Sequence, residues 1–319
     1  MPRRRDLLAG ALIAPNLAAA QAADEPPAPE QHASIIDLDR CDGCADRALP
    51  ACVAACRELN CERFPKPEKP LQSYWPQKKF EDFSEHPDRA DRLTPYNWLY
   101  VEKIELPGKT VYAPRRCMQC FDAPCRKLCP FGAIDRTKEG AVVINPDVCF
   151  GGAKCRDACP WEIPQRQAGV GIYLKAAPKF AGGGVMFKCD FCAERLARGE
   201  VPACAAACPR RALIFGTLEA MKTKLEEVAR GRFVYGRTEN GGTATWYVSS
   251  VPFAELDSTI RASRQTKAAN GRPGFQPETP KLTQSAWLAK ATLAAPVAAV
   301  AAAVMLRKRK PAEGEGDAS

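Results

Sequence analysis

Four cysteine runs of one design recur along this 319-residue chain, and they limit what it can fold into more than any other feature. They are Cys41, Cys44, Cys52, Cys56; Cys117, Cys120, Cys125, Cys129; Cys149, Cys155, Cys159; and Cys189, Cys192, Cys204, Cys208. Every run ends C-x3-C and three begin C-x2-C. In three, the last cysteine precedes a proline (Pro130, Pro160, Pro209). A C-x2-C loop turns two thiolates and the N–H groups between them towards one point, and the proline then carries the chain away. Of the sixteen cysteines only Cys61 is left over. A disulfide framework would not need one spacing four times, and zinc sites do not need the C-x3-C-P ending. The pattern is that of iron–sulfur ligation, in which the fourth cysteine of a run serves the neighbouring cluster, so the runs must work in pairs.

The surrounding sequence predicts an α+β fold. Strand-like stretches enter the first run (34–38, SIIDL) and the third (141–144, AVVI), and another leaves the fourth (212–215, ALIF). The segment AIDRTKEGAVVINPDVC predicts a hairpin turning at Glu139-Gly140, which makes runs two and three one compact unit. Two interleaved ferredoxin-like units with long loop insertions are expected. One comprises 34–110 and 179–256, around runs one and four; the other spans 111–178, and 257–285 is a linker. Residues 62–110, rich in proline, charge and aromatics without a sustained period, are expected to form a surface insertion or a partner-binding cover.

The stretches RRCMQCFDAPCRKLCPFGAI (115–134) and KCDFCAERLARGEVPACAAACPRRALIFGT (188–217) resemble the four-cluster iron–sulfur subunits of membrane-bound respiratory oxidoreductases. That family serves formate dehydrogenases, dimethyl sulfoxide and nitrate reductases and nickel–iron hydrogenases. In layout, including IFGT and VPFAEL, the chain is most similar to the subunit of hydrogenase-2-type enzymes. The resemblance covers about 34–256. It implies one cluster on Cys41, Cys44, Cys52 and Cys208, and a second on Cys189, Cys192, Cys204 and Cys56. It implies a third on Cys117, Cys120, Cys125 and Cys159, and a fourth on Cys149, Cys155 and Cys129. The place of a fourth thiolate in that last set falls on Gly152. Nitrate reductase beta subunits also carry a non-ligating residue there, beside a [3Fe-4S] cluster. The expected cofactors are therefore three [4Fe-4S] clusters and one [3Fe-4S] cluster. The alternatives for the last site are a [4Fe-4S] cluster capped by Asp147, Asp157 or water, or an empty pocket. Seven residues separate Cys44 from Cys52 where the family usually has two, so Cys52 is the least certain ligand; Cys61 is the substitute candidate for that corner, and its other reading is a buried or idle thiol.

The two ends suggest export and anchoring. MPRRRDLLAGALIAPNLAAAQAAD reads as a signal peptide cleaved near Ala22, and its Arg4-Arg5 with Leu7-Leu8 is similar to a twin-arginine signal, although a Sec n-region looks alike. Residues 286–306, if helical, extend roughly 31 Å against a hydrocarbon core of about 30 Å. The basic tail 307–310 would then lie in the cytoplasm and the cluster domain in the periplasm, at the inner membrane. Lys290 and Pro296 interrupt the stretch, and a packed amphipathic helix is the other reading. The net charge of +9 is scattered among acids with no basic–aromatic stripe, which excludes a nucleic-acid partner. His32 and His86 are expected at the surface, and AGGGV (181–185) lacks the order of a nucleotide cradle. Two functions of different classes follow: an electron-transfer subunit linking a catalytic subunit to a polytopic quinone-reactive membrane protein, or a metal-stabilised scaffold of an exported complex.

Overall fold

A computed structural model describes residues 28–71, 80–176, 183–266 and 271–275. The expected signal peptide and the stretch 286–306 lie outside these residues. Among the described residues no helix is long and apolar enough to cross a membrane.

In chain order the elements are β1 (His32–Asp37), α1 (Ala51–Asn60), β2 (Tyr100–Leu106), β3 (Lys109–Arg115), α2 (Pro124–Lys127), β4 (Ile134–Arg136) and β5 (Val142–Ile144). There follow α3 (Lys154–Ala158), β6 (Gln165–Gln167), α4 (Tyr173–Ala176), β7 (Val185–Phe187), α5 (Ala193–Ala197) and α6 (Ala203–Ala206). The chain continues with β8 (Leu213–Thr217), α7 (Leu218–Val228), β9 (Phe233–Tyr235), β10 (Thr245–Ser249) and α8 (Phe253–Thr266).

A four-stranded sheet in the order β8-β1-β10-β9 divides the interior. β1 runs antiparallel to β8 and parallel to β10, so the strand entering run one lies beside the strand leaving run four. Successive strand residues face opposite ways. Ala33, Ile35, Trp246 and Val248 accordingly pack with Leu218, Met221 and Leu225 of α7. That helix is set by a three- and four-residue apolar spacing, and the Thr217 hydroxyl caps it by accepting from the Ala220 N–H. On the other face Ile36 and Tyr247 join the core that contains most of the cysteines.

The predicted hairpin between runs two and three forms as β4 and β5, with Asp135 opposite Val143. Residues 62–110 differ from expectation. Leu93, Trp98, Leu99, Tyr100 and Ile104 are core residues, and β2 pairs with β3 through a Pro107-Gly108 turn. Tyr100, Glu102 and Ile104 alternate inward along β2. The alternation is short and one inward residue is a carboxylate, which is why it does not stand out in sequence. Glu102 is held by Arg272 and by the Tyr100 hydroxyl, which donates to it at 2.8 Å. His86 is exposed as expected, whereas His32 is half-buried, its ring stacked on Phe215 at 5.3 Å.

Candidate iron–sulfur centres

The cysteine loops share one backbone device. In each run the residue two after the first cysteine (Gly43, Gln119, Gly151, Phe191) has a positive φ, between 54° and 67°. This left-handed turn aims its own N–H back at the first sulfur: Phe191 N–H donates to Cys189 Sγ at 3.4 Å, and Gly43 and Gly151 do the same for Cys41 and Cys149. A second device follows each C-P pair. The residue three after the cysteine (Gly132, Glu162, Arg211) is again left-handed, and the next N–H turns onto the sulfur. Ala133 N–H meets Cys129 Sγ, and Ala212 N–H meets Cys208 Sγ, both at 3.3 Å; Ile163 serves Cys159 likewise. Left-handed backbone at Gln119, Phe191, Glu162 and Arg211 costs about 1–2 kcal/mol per residue. Repetition of that cost in equivalent places marks a purpose.

The sulfurs gather in four places, called centres I to IV. Centre I is a cavity lined by Cys41, Cys44, Cys52 and Cys208. Centre II brings Cys56 together with Cys189, Cys192 and Cys204. Centre III is an apolar cavity lined by Cys117, Cys120, Cys125 and Cys159. At centre IV, Cys155 interacts with Cys149 and Cys129. Cys52 occupies the uncertain corner of centre I because α1 places Cys52 and Cys56 one turn apart on its buried face, where it packs on α6. Cys61 is exposed, in a short 3-10 turn (Cys61–Arg63) beyond that helix.

The centres form a row. Cys52 of I interacts with Cys204 of II, Cys189 of II with Cys117 of III, and Cys155 of IV with Cys125 and Cys159 of III. The order I, II, III, IV follows.

These thiols are built for a metal core. Burial pushes Cys41, Cys125 and Cys189 up to about 11 and Cys159 and Cys192 up to about 12, and neighbouring sulfurs add to the rise in each. Left to themselves they would stay protonated, whereas a bound cation deprotonates a coordinating thiol outright. All sixteen cysteines are free. The donor sets are cysteines alone, on C-x2-C and C-x3-C loops, and such sets fit an iron–sulfur core.

At centre IV, Gly152 stands three residues after Cys149, as Cys44, Cys120 and Cys192 stand after the first cysteines of their loops, but Cys44 and Cys192 are left-handed and Gly152 is not. It is exposed, and a Cβ built on it would meet nothing within 4 Å. Asp147 and Asp157 are both exposed, and Asp157 is paired with Lys154 at 3.5 Å. Stacked Phe131 and Phe150, with ring centroids 4.5 Å apart, flank this end, beside exposed Leu128 and Val148.

Two buried cations were not anticipated from the sequence. Lys188 lies between centres II and III, and Arg116 lies against centre II. The Arg116 guanidinium is 4.0 Å from Cys189 Sγ and donates to Ser34 Oγ at 2.5 Å, while its Nε has no partner. Lys188 Nζ donates to the Val142 and Cys189 carbonyls and lines the cavity of centre III. Burial opposes both charges, but the Cys189 and Cys204 sulfurs outweigh it for Arg116, as Cys117, Cys125 and Cys189 do for Lys188, and both pKa values are raised. A basic residue directly before C-x2-C, as in R-C-M-Q-C and K-C-D-F-C, was the available signal.

Comparison with known proteins agrees with this geometry. Two families, each described as a 4Fe-4S dicluster domain, match overlapping stretches, residues 40–133 and 109–218. The chain is similar to the hydrogenase-2 operon protein HybA of Escherichia coli O157:H7, 28% identical over 292 residues, 79% of each chain. It is 30% identical over 194 residues to the probable anaerobic dimethyl sulfoxide reductase chain YnfG of Escherichia coli K12, covering 61% of this chain and 77% of that one. The iron–sulfur cluster-binding subunit of menaquinone reductase from Nitratidesulfovibrio vulgaris Hildenborough is 27% identical over 241 residues, 66% of this chain and 84% of that one. Of one further match in that organism the chain spans 56% of the length. Paired dicluster domains, multiple 4Fe-4S clusters and these relatives together make the chain a member of the ferredoxin-type iron–sulfur electron-transfer subunits of oxidoreductase complexes.

Proposed function

We propose that the chain passes electrons along centres I to IV between a catalytic oxidoreductase subunit and a quinone-reactive membrane protein. The row of four sulfur sets carries this reading, because one-electron centres held in line are suited to conduction and a scaffold needs no such order. Three centres hold [4Fe-4S] clusters on their four cysteines, and centre IV holds a [3Fe-4S] cluster on Cys129, Cys149 and Cys155. Centre IV faces the membrane partner: its apolar rim of Leu128, Phe131 and Val148 suits an apolar protein surface. The names of the relatives support hydrogenase, dimethyl sulfoxide reductase or menaquinone reductase chemistry for the complex. The cluster domain sits on the periplasmic side of the inner membrane, exported by the twin-arginine-type leader and anchored through 286–306. Anaerobic fractionation tests all of this together. The chain should sediment with membranes and, once solubilised in detergent, should contain about fifteen irons with acid-labile sulfide. Stoichiometric zinc without sulfide would overturn the electron-transfer reading, and recovery of the intact chain in the detergent-free periplasmic fraction would overturn the anchor.

A further inference from the structure

A buried cation without a carboxylate partner is expensive and is retained only where something else supplies negative charge. Arg116 and Lys188 are such cations. Their polar contacts are a hydroxyl, a cysteine sulfur and two backbone carbonyls. The Asp190 carboxylate, which acts on Lys188, is already paired with Arg63 at 2.7 Å. The ends of the row are arranged differently. Arg210, beside centre I, is neutralised by Asp42 at 2.6 Å, and Arg156, beside Cys155 of centre IV, is held by both oxygens of Glu81 at 2.8 and 2.9 Å. Among the described residues, Arg210 and Arg156 at the two ends each have a carboxylate partner, whereas buried Arg116 and Lys188 do not.

A four-iron core with four thiolates carries net negative charge, and its one-electron reduction adds more. A fixed cation against the sulfurs stabilises the reduced form, and the dry surroundings of these two amplify the effect. Lys188 lines the cavity of centre III and donates to the carbonyl of Cys189 of II, while the Arg116 guanidinium stands 4.0 Å from Cys189 Sγ of II. We propose that Lys188 and Arg116 are potential-setting residues, which make centres II and III easier to reduce than their ligands alone would and so give the row its redox profile. Each centre takes up one electron with no ligand exchanged and no bond broken. The proposal rests on the reading of the four sulfur sets as cluster sites.

The test is a redox titration of the detergent-solubilised complex, followed by electron paramagnetic resonance, on wild type, Lys188→Met, Lys188→Arg and Arg116→Gln. Lys188→Met should weaken reduction of two of the four centres at least tenfold, about 59 mV for a one-electron couple. Arg116→Gln should affect one of those two, and Lys188→Arg, which keeps the charge, should leave all four near wild type. Four centres present in Lys188→Met with unshifted potentials, or an equal shift in Lys188→Arg, would overturn the proposal while the cluster assignment stands. Should Lys188→Met fail to load its clusters, Arg116→Gln decides, and an unmoved set of potentials in that variant overturns the role of charge. Absence of cluster signals from the wild type would strike the underlying reading instead.

Discussion

Replacing Gly152 by cysteine supplies centre IV with the thiolate its loop lacks, and the local geometry says the change costs the fold nothing. Gly152 is three residues beyond Cys149, as Cys44, Cys120 and Cys192 are beyond the first cysteines of their runs, and it follows the same left-handed residue. Its own φ lies outside the left-handed region and a Cβ there meets open space. Removing a glycine from an unstrained loop position favours the folded state by about 0.4–1 kcal/mol through the unfolded chain. The neighbouring Gly151 gives the opposite expectation. Its φ is +65° and an added Cβ would stand 2.4 Å from the Gly184 carbonyl oxygen, so Gly151→Ala loses about 1–2 kcal/mol to backbone strain before the clash is counted. Electron paramagnetic resonance of oxidised membranes should show a three-iron signal in wild type. In Gly152→Cys that signal should give way to one from a reducible four-iron cluster, while Gly151→Ala should lose the centre altogether. An oxidised wild type without a three-iron signal, or a Gly152→Cys variant that keeps it at full intensity, would refute the reasoning.

Two further expectations concern stability. Arg272→Met strands Glu102 in the core beside the Tyr100 hydroxyl and should cost about 3–5 kcal/mol in denaturant unfolding, and joining it to Glu102→Leu should recover most of the loss. If the double variant is no better than the single, the buried charge is not the cause. Burial alone would raise the Glu81 carboxyl, but its bonds to Arg156 and the charge of Arg166 hold it below the usual 4.5. The folded pKa is depressed, so this contribution is complete above 4.5 and disappears as pH falls through the folded value. Melting temperature against pH should therefore fall less steeply on the acid side in Glu81→Gln than in wild type, and parallel curves would contradict the assignment.

The parts of the site written in cysteine spacing were legible, because a ligand must be a cysteine and its loop must have a length. That covers the four runs, the hairpin at Glu139-Gly140 and the place of Gly152. What escaped reading was set by packing. β10 reads TWYVS without polar alternation because both faces of the sheet are buried, with Trp246 and Val248 against α7 and Tyr247 towards the cysteines. Trp98 and Leu99 sit in core although their flanks are proline-rich and charged. Left-handed backbone at Gln119, Phe191, Glu162 and Arg211 carries no glycine to announce it. Arg40, Arg116 and Lys188 each precede a C-x2-C loop, yet Arg40 is exposed and the other two are buried, a distinction that only the fold makes.

Cys208 completes the cavity begun by Cys41, Cys44 and Cys52, and Cys56 stands among three residues from the far side of the sequence. Between those partners the chain runs out through centres III and IV and returns. A ribosome making this protein therefore exposes three sulfurs of centre I long before the fourth exists, and centre II starts with one. Contacts so distant in sequence form late, after the entropy of closing long loops has been met. Centres III and IV, whose sulfurs all fall between Cys117 and Cys159, can close first and present a finished surface on which the two ends of the cysteine-bearing sequence meet. On loop-closure grounds the row is expected to assemble from IV and III towards II and I.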